Sequence, residues 1–233
     1  KISTQFPQDI PELSREISSR FNDLKVFEDD ISITRRYLID KNLIPLTLAE
    51  AEGEYINQRS KVSVFDASSV EHFSTDQIQK LNTLSVDIEV YNPLGTEVSP
   101  EKDPIIMIGF YSASYQKVIV TKQFPTELEY VEFVSTEAEL LRRFGDIIAE
   151  QKPDAIVGYN SDSFDFPYLF ARAEKYGIRL DLGLDYSLLK ADTRKEAKSA
   201  ITGICHVDIS QFIRKTMASN LETQSLDLSS VAK

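Results

Sequence analysis

The chain has 233 residues, 42% of them hydrophobic and 10% aromatic, a globular composition with room for one large domain or two small ones. Its net charge of −11 looks hostile to nucleic acid, yet the excess is uneven: residues 81–180 carry 9 basic and 16 acidic side chains, against 7 and 7 in residues 181–233. One cysteine, Cys205, excludes an internal disulfide and fits a reducing interior, and with only His72 and His206 beside it a structural zinc site is not expected. No apolar run approaches the ~18 residues of a membrane span. The start, KISTQFPQDI, has no signal segment and no initiator methionine, so the sequence reads as a piece of a longer chain.

Residues 1–46 open with FPQDIPEL, whose prolines hold their preceding residues out of helix. IPELSREISSRF then predicts a helix through Leu13, Ile17 and Phe21, and a second helix is expected around residues 33–41. Residues 47–80 are polar and serine-rich with weak periodicity, and read as a connection or insertion holding one short hairpin near KVSVFDA.

From residue 84 the pattern becomes strand-rich: SVDIEVY, PIIMIGFYS (104–112), KVIVTKQF (117–124) and YVEFVS (130–135). Thr136 with Glu139 forms a capping box ahead of a helix whose apolar stripe is Leu140, Leu141, Phe144, Ile147 and Ile148. DAIVGYN (154–160) predicts a short buried strand, and FPYLFARAEKYG (166–177) a helix stopped by Gly177. ICHVDIS (204–210) is a further strand, followed by a helical QFIRKTM. The sum is α/β: a mixed sheet with helices on it.

Two stretches carry chemistry. In LSVDIEVYN, Asp87 and Glu89 lie two apart on a strand and project to one face. Carboxylates that close repel, and a hard divalent cation between them removes the repulsion. An exposed strand with two solvated acids gives the same pattern. In VGYNSDSFDFPYL, a strand end leads through Tyr159, Asn160 and a polar turn to Phe164 and Asp165 in a first helical turn, where the helix dipole favours an acid.

Taken together, D-x-E and N-x-x-x-F-D about 70 residues later resemble the first two exonuclease motifs of the family B DNA polymerases, of archaeal type. PQDIPEL, FEDDISITRRYLIDKNLIPL, RAEKYGIRL and HVDISQFIRKTM extend the likeness over most of the chain except 47–80. The resemblance implies part of an amino-terminal domain (1–46), a linker or insertion (47–80), and a ribonuclease-H-like 3′→5′ exonuclease domain (81–233) truncated at its C-terminal end. It implies proofreading by two-metal hydrolysis of the 3′-terminal phosphodiester, releasing nucleoside 5′-monophosphates with Mg²⁺ or Mn²⁺. Asp87 would bridge both ions, Glu89 would hold the one that activates water, and Asp165 would support the second through water. Asn160, Phe164 and Tyr159 would contact the terminal nucleotide. Implied partners are a single-stranded DNA 3′ end, primer-template DNA, polymerase palm, fingers and thumb on the same or a second polypeptide, and a sliding clamp, in a prokaryotic cytoplasm beside the chromosome, with no membrane.

The third family motif, Y-x-x-x-D, does not follow Asp165. A non-catalytic DNA-binding or template-uracil-sensing module therefore stands as the alternative. Pro7, Ile10 and Ile33 match uracil-pocket positions in relatives, although they are equally ordinary core residues. Asp208 reads as a structural acid near the cleft rather than a substitute ligand, and His206 as strand packing. The loop 188–200, with Lys190, Arg194, Lys195 and Lys198, reads as solvated, with phosphate contact as the other option.

Overall fold

A computed structural model describes all residues except 1–3, 5, 7–8, 76–79, 94, 96, 193–197, 218–220, 222–224 and 233. It divides into two compact units, residues 1–57 with 64–80, and residues 58–63 with 81–233.

In the first unit, α1 spans Ile10–Arg20 and α2 spans Ile33–Asp40, where the Ser32 hydroxyl accepts from the Arg35 amide to cap the helix. The expected short hairpin is in fact a long antiparallel pair, β1 (Leu48–Ile56) and β2 (Val64–Ser74). Nearly every residue of β1 is exposed. Period-two alternation marks a strand only when one face is buried, so this ribbon leaves little trace in its sequence. Gly53 sits where any side chain would strike the partner strand, a Cβ there lying 2.0 Å from the Asp66 carbonyl oxygen.

The second unit is built on a six-stranded sheet. Its strands are β3 (Thr83–Val90), β4 (Ile105–Tyr111), β5 (Gln116–Val120), β6 (Val131–Phe133), β7 (Ala155–Gly158) and β10 (Cys205–Asp208), in the order β10-β7-β3-β4-β5-β6. β4 pairs antiparallel with β3 and β5, while β7 runs parallel to both β3 and β10. Helix α3 (Glu137–Gln151) starts at Thr136, whose hydroxyl accepts from the Glu139 amide, and Glu139 returns a bond from the Ser135 amide. Helix α4 spans Asp165–Lys175 and ends at Gly177, φ +64°. Leu84, Val86, Ile88, Ile108 and Phe110 form one buried core with Leu140 and Phe144 of α3 and Phe166 and Leu169 of α4.

Three findings differ from the sequence reading. The stretch 188–200 contains a small hairpin, β8 (Lys190–Asp192) with β9 (Lys198–Ala200), which carries Lys190 and Lys198; Arg194 and Lys195 lie outside the described residues. The last predicted helix is a four-residue turn, α5 (Ile209–Phe212), that widens into a π-helix over Ile213–Met217. A short α6 (Leu228–Val231) follows.

A buried ion pair fastens α4 to the rest of the unit. Arg172 Nε donates to Glu137 Oε1 at 2.7 Å, its second nitrogen bonds Oε2, and the two side chains are 3% and 5% exposed. The Ile105 amide and the Tyr176 hydroxyl also donate to Glu137, and Arg172 reaches the Pro100 carbonyl. Burial pushes the Glu137 carboxyl up, but the guanidinium, the amide and the hydroxyl together hold it below its ordinary value. Removing one partner strands the other's charge, so Arg172→Ala is expected to lower stability by about 3 kcal/mol in urea unfolding. A change under about 1 kcal/mol would show the pair to be incidental.

Candidate active site

The site begins with the alternation of β3. Leu84, Val86 and Ile88 face the core, which turns Ser85, Asp87 and Glu89 to the opposite face. In the β3–β4 register Asp87 stands opposite Gly109 and Glu89 opposite Met107. A side chain built on Gly109 would meet nothing within 4 Å, so the space beside Asp87 is open. A cavity of about 550 Å³ lies on this face, with Asp87, Gly109, Tyr111, Tyr130, Tyr159 and Leu228 among its walls.

The second motif arrives from the neighbouring strand. β7 pairs with β3 only over Thr83–Ser85, so its C-terminal end points at Asp87 and Glu89. The chain turns at Asn160, whose φ of +62° is a left-handed conformation that asparagine tolerates. The Asn160 carbonyl accepts from the amides of Ser163 and Phe164, and the Ser161 carbonyl from that of Phe166, winding the turn directly into α4. Asp165 is thereby delivered against β3. Past the end of β7, the Ile88 amide donates to Asp165 Oδ1 at 3.1 Å.

The electrostatics are those of crowded acids. Asp165 is 3% exposed. Burial and the Asp87 charge raise its pKa from 3.8 to about 7, with Asp208 adding to the rise and the Ile88 amide opposing it. Asp87 is also raised, by desolvation and by Glu89. Among the described residues no lysine or arginine forms an ion pair with Asp87, Glu89 or Asp165. Carboxylates pushed up by each other, without a counter-cation, suit a hard divalent ion. Among the described residues no group of three or more His, Cys, Asp or Glu is arranged to hold a metal. Mg²⁺ commonly takes one or two carboxylates and fills its shell with water and substrate phosphate, so Asp87 with Glu89 or Asp165 fits that chemistry.

The other predicted residues divide. Phe164 is half-buried against the core, its ring centroid 5.3 Å from that of Tyr168. Nothing among the described residues hydrogen-bonds the Asn160 side-chain amide. The Tyr159 hydroxyl donates to the Leu226 carbonyl, so this ring lines the cavity while holding a later segment. In the first unit, Pro7 lies outside the described residues, Ile10 is half-buried and Ile33 is 58% exposed. A polar cavity of about 410 Å³ in that unit, walled by Asp40, Asn42, Glu71 and His72, includes neither isoleucine.

His206 does more than pack in its strand. It packs edge-to-face with the Phe166 ring, and its Nε2 meets Ser161 Oγ at 2.9 Å while Nδ1 lies 3.2 Å from Asp162 Oδ1. Ser161 is fully buried, so this trio ties the turn together and offers no accessible nucleophile. Nothing in the sequence announced the grouping, because it depends on the parallel pairing of β10 with β7.

Residues 24–231 match the family described as DNA polymerase family B, exonuclease domain. The chain is 37% identical over 228 residues to a DNA polymerase of Pyrococcus glycovorans, covering 97% of this chain and 25% of that one. It is 36% identical over 218 residues to a DNA polymerase of Methanocaldococcus jannaschii, covering 93% of this chain and 12% of that one. The solved family B DNA polymerase of Pyrobaculum calidifontis superposes with a TM-score of 0.72 at 25% identity, over 91% of this chain and 26% of that one. The sheet and its helices have the ribonuclease-H-like arrangement of that exonuclease domain. The chain spans about a quarter of the length of its Pyrococcus relative.

Proposed function

The chain belongs to the exonuclease-domain family of the family B DNA polymerases, and we propose that it removes nucleotides from DNA 3′ ends as the proofreading part of a DNA polymerase. The observation that carries this reading is the junction of the two motifs, where the Ile88 amide between Asp87 and Glu89 donates to Asp165. Asp87 and Glu89 share the open face of β3, the buried Asp165 is held beside them, and no cation among the described residues pairs with any of the three.

In this reading Asp87, Glu89 and Asp165 hold divalent ions, Mg²⁺ or Mn²⁺. When bound, such ions activate water and stabilise the leaving 3′ oxygen. The chain's own residues do the rest. The Ile88 amide fixes the Asp165 carboxylate, Asn160 presents its side-chain amide to the terminal nucleotide, and Phe164 offers the edge of a ring already braced by Tyr168. The acidic site accepts a phosphodiester only because the ions reverse its local charge. The expected product is a nucleoside 5′-monophosphate. The first unit is read as part of a polymerase amino-terminal domain, with palm, fingers and thumb on the same or a second polypeptide.

One observation favours the rival reading, a DNA-binding or uracil-sensing module without catalysis: no three-ligand metal group stands among the described residues. A 5′-labelled single-stranded oligodeoxynucleotide with Mg²⁺ or Mn²⁺, against a chelator control, separates the two. Stepwise shortening from the 3′ end, abolished by the chelator, is the expected result. Binding of the oligonucleotide with no shortening under either metal would overturn the nuclease reading in favour of the rival.

A further inference from the structure

We propose that Asp208 is the positioning residue of this site: its carboxylate is the anion around which the turn bearing Asn160, Phe164 and Asp165 is wound. The inference rests on the proposed nuclease reading and concerns how its substrate-contacting side chains are held.

Asp208 ends β10, opposite Gly158 at the end of β7, so its side chain stands at the mouth of the turn that follows. It is 7% exposed. Oδ1 accepts from the Asn160 amide at 2.9 Å, from the Ser210 amide at 2.9 Å and from Ser210 Oγ at 2.8 Å. Oδ2 accepts from the Asp162 amide at 3.1 Å. Three donors thus converge on Oδ1 and one on Oδ2, so a single carboxylate gathers the amides on both sides of it. These four bonds tie Asp208 to the turn and to the start of α5 rather than to Asp165, near which it lies.

The geometry explains the backbone of the turn. The left-handed Asn160 aims its amide, and two residues later that of Asp162, at one point, a concavity that binds an anion. With those amides taken, the carbonyls of Asn160 and Ser161 receive the amides of Ser163, Phe164 and Phe166, and α4 begins with Asp165 against β3. Loss of the anion leaves two part-buried amides of the turn without acceptors and frees the turn to unwind. The Asn160 backbone, from which its side chain projects, then loses its hold.

The test uses Asp208→Asn in the 233-residue chain. Its amide group keeps the size but turns a donor toward one of the facing amides. Hydrogen exchange at the Asn160 and Asp162 amides is expected to quicken by about tenfold or more, with β3 and β7 amides unchanged. The Kd for a decathymidylate with an uncleavable phosphorothioate 3′ linkage, measured with Mn²⁺, should rise by about tenfold. The Kd for Mn²⁺ alone should not move. Asn160→Gly keeps the left-handed backbone and removes only the amide, so it should weaken DNA binding without altering exchange, and add little on the Asp208→Asn background. If Asp208→Asn misfolds, Ser210→Ala, which removes one of the four donors, should give the same pattern at smaller size. Weakened Mn²⁺ binding with normal exchange would make Asp208 a ligand and overturn the proposal, and so would unchanged exchange. Failure of the unaltered chain to bind the oligonucleotide would instead sink the nuclease reading, leaving exchange to decide the role of Asp208.

Discussion

Asp87→Ala is expected to lower 3′-end hydrolysis on the order of a thousandfold while the fold keeps its stability. The two halves of this outcome have separate causes. Asp87 is on the solvent side of β3, faces the open space beside Gly109, and no residue described in the structure forms an ion pair with it. Its carboxyl is raised by desolvation and by Glu89, so the ionised form is disfavoured in the metal-free protein. Deleting it also relieves Asp165, whose pKa Asp87 helps to raise. A side chain kept for structure would not be held under such repulsion. Its removal in a chelator should therefore leave the melting temperature unchanged or higher. With Mn²⁺ the order should invert, because only the unaltered chain gains from the ion. Labelled-oligonucleotide shortening and paired melts with and without Mn²⁺ measure both halves. Hydrolysis retained within about threefold would remove Asp87 from the proposed chemistry, and lost hydrolysis with an equally lost fold would make it structural.

Local chemistry was legible in the sequence and long-range pairing was not. The alternation through Leu84, Val86 and Ile88 marked β3 because one face of that strand is packed and the other is not. Thr136 and Glu139 marked the start of α3 because a cap is a contact between residues three apart. The same locality made Asp87, Glu89, Asn160, Phe164 and Asp165 visible as two motifs. What joins them is the Ile88 amide and Asp165, 77 residues apart, and no period in the sequence encodes that bond. Asp208 and the turn it holds are 48 residues apart, and Glu137 and Arg172 are 35 apart. Asp165 and Asp208 could be named from their motifs, but the partners that hold them, like those of Glu137, could not. The β1–β2 ribbon was expected only as a short hairpin for the opposite reason: its pairing is local, but with neither face buried it has no hydrophobic rhythm to show its length.

Asp165 supplies the second large effect, a stability that falls as pH rises and is restored by metal. Its folded pKa is about 7, against 3.8 for an unperturbed aspartate. Between those values the folded chain holds a proton that the unfolded chain has lost. Stability changes with pH as the difference in protons bound, unfolded minus folded, which is negative here. The contribution is therefore fully present below about pH 4 and is lost as pH climbs through about 7. At 1.36 kcal/mol per pK unit the whole effect is roughly 4 kcal/mol, shared with its coupled neighbour Asp87. Other acids run the other way: Glu137, held low by Arg172, stabilises the fold above its unfolded pKa and loses that contribution on acidification. The comparison must therefore be with Asp165→Asn, which keeps an oxygen for the Ile88 amide and cannot ionise. In a chelator, the variant should be the more stable chain at pH 8 and lose that advantage by pH 4. Saturating Mn²⁺ should stabilise the unaltered chain at pH 8 and leave the variant little changed, since the ion binds the deprotonated carboxylate. Urea unfolding across that pH range, with and without Mn²⁺, reads all four arms. Parallel pH profiles for the two chains would mean that Asp165 titrates normally, and the crowded-acid account of the metal site would fall with it.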